Sequence, residues 1–212
     1  MRGASTPSGV MLAPQINGYN KELNNPYAFD PEKSKKLLAE AGYGDGFSLT
    51  LDCPNNRYVN DEKICQAAAG MLAKVGIKVD VFAQPKSKYF AKVSTQNDND
   101  TSMYLLGWTP GSMDVSNVLD NLIICMDKEA NKGQFNYGRY CNPKITPLAD
   151  SVREETDPAK RQAMVDEAFK MLQDDVGYLP LHQQPLSWGV REGVKVAQRA
   201  DNVLDLRSVV LP

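Results

Sequence analysis

Few residues in this chain have the type and spacing to do chemistry. The 212 residues contain one histidine and four cysteines. Cys53 and Cys65 stand twelve apart and Cys125 and Cys141 sixteen apart, so neither pair is the C-x-x-C of a redox or zinc motif. With His182 the sole imidazole, a closed zinc site lacks its usual ligand set. Two local disulfides fit better and imply an oxidising compartment. The alternative is four buried free thiols packing as small hydrophobes. No Gly-rich phosphate loop, H-E-x-x-H or G-x-S-x-G occurs. An enzyme would have to be built on His182 in "PLHQQ", as a secreted hydrolase without an evident nucleophile. A hydrogen-bonded or ligand-contacting histidine at a strand end is the simpler reading.

Binding chemistry is better represented. Arg57 lies in "CPNNRYVNDEK", between a strand and a helix, where ligand contacts concentrate in an α/β lobe. A guanidinium grips a carboxylate through two parallel hydrogen bonds, a geometry lysine does not offer. The competing reading is a solvated loop arginine. Trp108 follows Gly107 directly after a strand and precedes a Pro-Gly turn, where an indole either stacks on a ligand or caps the core. Asp114 reads first as the N-cap of the next helix and second as a ligand contact.

The elements that must position these residues follow from punctuation and period. Asp30-Pro31, Asn142-Pro143 and Asp157-Pro158 each pair an N-cap with a proline at the first helical position, predicting helices over 31–41, 143–155 and 158–174. Ser34, Leu37, Leu38 and Ala41 form one face of the first, which Gly42 stops. Phe47, Leu49 and Leu51 alternate as a strand; Ile64, Ala68, Met71, Leu72 and Val75 make a helical stripe ending at Gly76; Ile77, Val79 and Val81 alternate again. This is a βαβ unit with two parallel neighbouring strands. A short helix over 87–95, a buried strand in "TSMYLLGW", a helix over 114–125 and a polar excursion over 126–141 follow. "GYLPLHQQPLSWGVR" predicts two edge strands interrupted by Pro180 and Pro185.

Composition narrows the class. Hydrophobic residues at 42% and charged residues at 24% suit a globular protein able to bury a core. A formal charge of −2 with scattered Lys and Arg offers no basic stripe, so nucleic acid is not an expected partner. No apolar run has the length to span a bilayer. The start, Met-Arg-Gly-Ala-Ser-Thr-Pro, lacks the apolar core of a signal peptide, and residues 2 to 29 carry no helix or strand pattern.

In constant order along the chain, "FDPEKSKKLLAEAGYGDGFSLTL", "MLAKVGIKVDV", "LLGW", "FNYGRYCNP", "ETDPAKRQAMVDEAFKMLQDD" and "YLPLHQQ" resemble the C-terminal part of family 5 extracellular solute-binding proteins. These are the dipeptide, oligopeptide and nickel receptors of bacterial ABC importers. The resemblance implies a periplasmic-binding-protein type II lobe: an α/β fold with a mixed sheet flanked by helices and a C-terminal tail. It divides the chain into an incoming segment from a missing first lobe (1–29), the ligand-binding lobe (30–190) and a tail returning toward the other lobe (191–212). It implies a monomer that binds a small solute or peptide, needs no cofactor or metal, catalyses nothing, and works in the periplasm, or lipid-anchored outside the cell, with membrane permease and ATPase subunits. A receptor-type protein-interaction module is the alternative beside the hydrolase.

Carried over residue by residue, the resemblance makes Arg57 the partner of a ligand carboxylate and Trp108, after Gly107, a contact to the ligand backbone. Gly111 stands where peptide receptors place an aspartate for the ligand α-amino group. Asp114, three residues on, and His182 complete the candidate ligand-binding set. The cysteines flanking 126–140 match a pair in dipeptide receptors, so the resemblance implies a Cys125–Cys141 bond, and with it Cys53–Cys65.

Overall fold

A computed structural model describes residues 3–94 and 101–212. Residue 95, the last of the predicted 87–95 helix, and the first two residues of the incoming segment lie outside the described residues. The chain folds into two compact units, each drawn from separate stretches. One comprises Met1–Pro26, Trp108–Asp120 and Lys144–Pro212; the other Tyr27–Gly107 and Asn121–Pro143.

The second of these holds the expected βαβ unit. Helix α1 (Pro31–Glu40) starts as predicted, with the Asp30 carboxylate accepting the Lys33 amide at 2.8 Å and Pro31 in the first turn. Its predicted apolar face is not buried: no residue of α1 is, and Leu37 is 52% exposed. Strand β2 (Phe47–Pro54) leads through the Arg57 loop to α2 (Asp61–Ala73) and on to β3 (Ile77–Gln84). β2 and β3 pair in parallel over their whole length, Phe47 opposite Ile77 and Pro54 opposite Gln84. The α2 stripe is half-buried at Ile64, Ala68, Leu72 and Val75, whereas Met71 faces solvent. After α3 (Lys86–Val93), β4 (Met103–Tyr104) joins the other edge of β2, also in parallel, giving the order β3-β2-β4.

β4 is shorter than the stretch 101–108 predicted. The Leu105 amide still donates to the Asp52 carbonyl at 3.1 Å. Beyond it, tyrosine hydroxyls replace ladder partners: Tyr89 donates to the Leu105 carbonyl at 2.6 Å and Tyr58 to that of Gly107 at 3.3 Å.

Alternation along β2 sorts its two faces. Leu51 and Cys53 pack with Cys65, Val79, Val81, Met103 and Leu105. Asp52, fully buried between them in sequence, meets Lys92 of α3, whose Nζ lies 2.8 Å from each carboxylate oxygen. A second cluster of Tyr89, Val93 and Tyr137 gathers Phe90, Tyr104, Leu106 and Phe135. Two disulfides close loops, Cys53 to Cys65 between β2 and α2 and Cys125 to Cys141 across the polar excursion, as the resemblance implied.

In the other unit, α5 (Ile145–Glu154) and α6 (Pro158–Asp174) bury Ile145, Ala149 and Val152, and Val165, Ala168, Phe169 and Leu172, each at helical spacing. Asp157 caps α6, accepting the amides of Ala159 and Lys160. Asn142-Pro143 does not start α5 as predicted: the helix begins at Ile145, with no side-chain cap, beyond the Cys141 that Cys125 holds. The segment predicted as a helix over 114–125 is a short α4 (Ser116–Val118) running into a wider π-type turn, Leu119–Ile123.

Of the two predicted edge strands only β5 (His182–Gln183) forms, antiparallel to β1 (Thr6–Pro7). Pro180 and Pro185, which lack amide donors, bound it on both sides. Parallel and antiparallel pairing therefore reside in two separate sheets. Residues of the unpatterned N-terminal stretch are nonetheless buried, Val10, Leu12 and Ile16 among them. Side-chain amides satisfy its carbonyls: Gln173 reaches Gly9 and Leu23, Gln162 reaches Gly18 and Gln183 reaches Leu12.

Candidate functional site

The Arg57 loop leaves the C-terminal end of β2, the end at which parallel α/β sheets present ligand-binding loops. Its shape is held by Asp61, the first residue of α2. The Asp61 carboxylate is buried; Oδ2 accepts the amides of Arg57 at 2.9 Å and Tyr58 at 3.0 Å, and Oδ1 that of Glu62 at 2.9 Å. Asn60, in the left-handed region at φ 61°, makes the turn that brings this carboxylate under the loop. The Arg57 side chain is exposed, with Cζ 5.0 Å from the centroid of the Tyr58 ring. Among the described residues no carboxylate pairs with its guanidinium, whereas Arg153, Arg161, Arg199 and Arg207 all have acidic partners.

Tyr58 connects this loop to Gly107. Burial raises the phenol pKa, keeping the hydroxyl protonated as a donor to the Gly107 carbonyl. The ring lies so close that a Cβ at position 107 would meet Tyr58 Cε1 at 2.7 Å, so the glycine before Trp108 is required by contact with the aromatic ring. Arg57 and Gly107 are thus brought together, through a residue that sequence reasoning missed. Asp61 was missed too, although an acidic residue opening an apolar helical stripe is a legible helix-start signal.

The remaining candidates lie in the other unit. Trp108 is half-buried and donates its indole N–H to Asn117 Oδ1 at 2.8 Å. Gly111 is exposed in the turn closed by the Met113 amide on the Pro110 carbonyl, and nothing lies within 4 Å of where its Cβ would stand. Asp114 is an anchor. It accepts the Ser116 amide and hydroxyl at 2.9 and 2.7 Å, together with Arg161 at 2.8 Å and the Asn17 side-chain amide at 2.8 Å, but it is not the N-cap predicted: Val115 holds that position, without a side-chain bond. Arg161 stands 47 positions away on α6, and no local signal foretells the pairing. His182 sits in β5 opposite Pro7, and burial lowers its pKa, favouring the neutral imidazole. Among the described residues no hydroxyl, thiol or carboxylate is hydrogen-bonded to it, and no described cysteine is free.

Burial alone would raise the Asp114 pKa, but the Ser116 amide and hydroxyl and the Arg161 guanidinium outweigh it and hold the carboxyl below its ordinary value of 3.8. A depressed native pKa stabilises the fold above the unfolded value, and that contribution is lost as pH falls through the native one. Tryptophan-monitored thermal unfolding between about pH 2 and 6 is expected to show this loss below pH 3.8, and a smaller loss in Arg161→Met, which lacks the guanidinium that lowers the native pKa. Superimposable profiles for the two proteins would exclude the coupling.

Comparison with known proteins agrees with this organisation. The model of "Bacterial extracellular solute-binding proteins, family 5 Middle" matches residues 1–130. The chain is 27% identical over 197 residues to the dipeptide-binding protein of Escherichia coli K12, covering 92% of this chain and 36% of that protein. It is 30% identical over 187 residues to the glutathione-binding protein GsiB of Pectobacterium atrosepticum, covering 87% and 35%. It spans about a third of the length of these curated relatives. The crystal structure of a dipeptide binding protein from Pseudoalteromonas sp. SM9913 in complex with Met-Leu matches all of this chain and 41% of that one, with a TM-score of 0.81 at 21% identity. That likeness shows the fold, the α/β lobe of type II periplasmic binding proteins. With the family model covering more than half of its residues, the chain belongs to family 5 of the bacterial extracellular solute-binding proteins.

Proposed function

We propose that this chain is the ligand-binding lobe of the solute-binding component of an ABC importer. It captures a small solute bearing a carboxylate, peptide-like in class, and delivers it to a membrane permease driven by ATPase subunits, in the periplasm or on a lipid anchor outside the cell. It performs no chemistry on its cargo. In this reading residues 1–29 arrive from a first lobe and residues 191–212 return toward it. The observation that carries the proposal is Arg57, a guanidinium without a carboxylate partner among the described residues, on a backbone-tethered loop at the C-terminal end of a parallel sheet. The relatives named for dipeptides and glutathione support the solute class, since both ligands carry carboxylates. Trp108, Gly107 and His182 are assigned to the ligand-binding set on the resemblance.

Gly111 and Asp114 refine the solute. The position at which peptide receptors hold the α-ammonium has no side chain, and the nearby Asp114 carboxylate is already engaged by Arg161 and Ser116. The reading is a solute gripped mainly by its carboxylate. Tryptophan fluorescence and thermal shift of the complete receptor, titrated with di- to pentapeptides, glutathione and simple carboxylic acids, test it. Saturable responses confined to carboxylates, without turnover, are expected. Because the space beside Gly111 is open, Gly111→Asp is expected to fold normally and to shift preference toward ligands with a free α-amino group. No response to any of the panel would overturn the transport reading.

A further inference from the structure

The loop that presents Arg57 is fastened to the sheet at its base. The Asn55 amide donates to the Gln84 carbonyl at 3.0 Å, and Asn56 Oδ1 accepts the Lys86 amide at 2.7 Å. These contacts stop one residue short of Arg57. The next hold is Asp61, whose single oxygen Oδ2 collects the two consecutive amides of Arg57 and Tyr58. Two adjacent N–H groups converging on one acceptor constrain the backbone between them, and a charged acceptor makes both bonds stronger than neutral ones. That constraint sets where the Arg57 side chain leaves the loop and where the Tyr58 ring lies beneath its guanidinium. The Tyr58 hydroxyl on Gly107 pins the far side of the ring.

The chemical choice at position 61 also matters. Asp61 as a residue is only 4% exposed and its carboxylate is engaged by backbone amides, so it orders the loop without neutralising the arginine in a salt bridge. An arginine ordered in advance loses less entropy on gripping a ligand, and one left unpaired keeps its fork for the incoming group. We propose that Asp61 is the positioning residue for carboxylate recognition in this receptor: its buried carboxylate, acting through the Arg57 and Tyr58 amides, aims the Arg57 guanidinium at a planar carboxylate. The proposal rests on the reading of Arg57 given above.

The test compares alanyl-alanine with its C-terminal amide by isothermal titration of the complete receptor, in the unmutated protein, Arg57→Ala and Asp61→Asn. Asn at 61 keeps the shape and one acceptor oxygen but loses the charge. The unmutated receptor is expected to prefer the acid, and Arg57→Ala to abolish that preference. Asp61→Asn is expected to weaken the acid by about tenfold while the amide stays within about twofold, because the lost contact is to the carboxylate alone. Equal weakening of acid and amide would show a merely structural residue and overturn the proposal. So would an unchanged acid preference in Asp61→Asn, with the Arg57 reading left standing if Arg57→Ala still loses its preference. An Arg57→Ala protein that keeps the preference, or a receptor that binds neither these probes nor any carboxylate of the panel above, would sink both. Should Asp61→Asn fail to fold, amide exchange in the unmutated protein decides: slow exchange at Arg57 and Tyr58 supports the hold, and exchange at the free-loop rate overturns it.

Discussion

Replacing Arg57 by alanine is expected to weaken binding of a carboxylate solute by about 2 kcal/mol or more, roughly thirtyfold in Kd, without changing the unfolding midpoint. The two halves of the expectation have separate causes. Binding suffers because, in the proposed role of Arg57, a bidentate, charge-assisted pair with the ligand carboxylate is removed. Stability is spared because the side chain is exposed and has no acidic partner among the described residues; its one ring contact, on Tyr58, is a surface cation–π pair of modest worth. Arg57→Lys separates charge from geometry. It retains the cation but loses the planar fork, so it should recover only part of the affinity. Isothermal titration beside urea denaturation checks all three proteins. An alanine variant that binds carboxylates as tightly as the parent would return Arg57 to the role of a solvated loop residue.

The largest effect on stability is expected at Lys92→Met, at about 3 kcal/mol. Asp52 occupies the central strand, with its side chain wholly buried and both oxygens on the Lys92 ammonium. Methionine preserves most of the Lys92 stem but leaves a carboxylate in the interior without its counter-charge, which is the costly way to break such a pair. Asp52→Asn with Lys92→Met should recover much of the loss, because a neutral amide costs less to bury than an orphaned charge. The signal can be assigned to one unit: both tryptophans, Trp108 and Trp188, belong to the unit without the parallel sheet, while the Tyr89, Tyr104 and Tyr137 cluster packs in the unit with it. Urea unfolding followed by tyrosine near-ultraviolet dichroism should therefore shift more than tryptophan fluorescence. A loss well under 1 kcal/mol would mean that water reaches Asp52.

The contrast between these residues shows what kind of information a sequence carries. The βαβ unit was legible because each part has a short-range cause: alternation for β2 and β3, an apolar stripe for α2, Asp-Pro for the starts of α1 and α6. Asn142-Pro143 carried the same local signal and failed, since a disulfide one residue earlier governs where that backbone goes. Leu37 belonged to a helical face and stands in solvent, because periodicity identifies a stripe without naming what covers it.

The candidate site divides in the same way. Arg57, Gly107, Trp108 and Gly111 were identifiable from position between elements and from motif. Their supports were not. By itself the sequence determined the parallel βαβ unit and the loop that carries the cation, from preferences expressed within a few neighbouring residues, and the fold class and family through the resemblance of its ordered motifs. Only the tertiary structure decided that Asp52 is matched by Lys92 forty positions on, that Asp114 belongs to Arg161, and that Asp61 and Tyr58 hold Arg57 and Gly107 in place. A buried charge or an open amide can be satisfied by many residues, and only packing selects the one that is within reach.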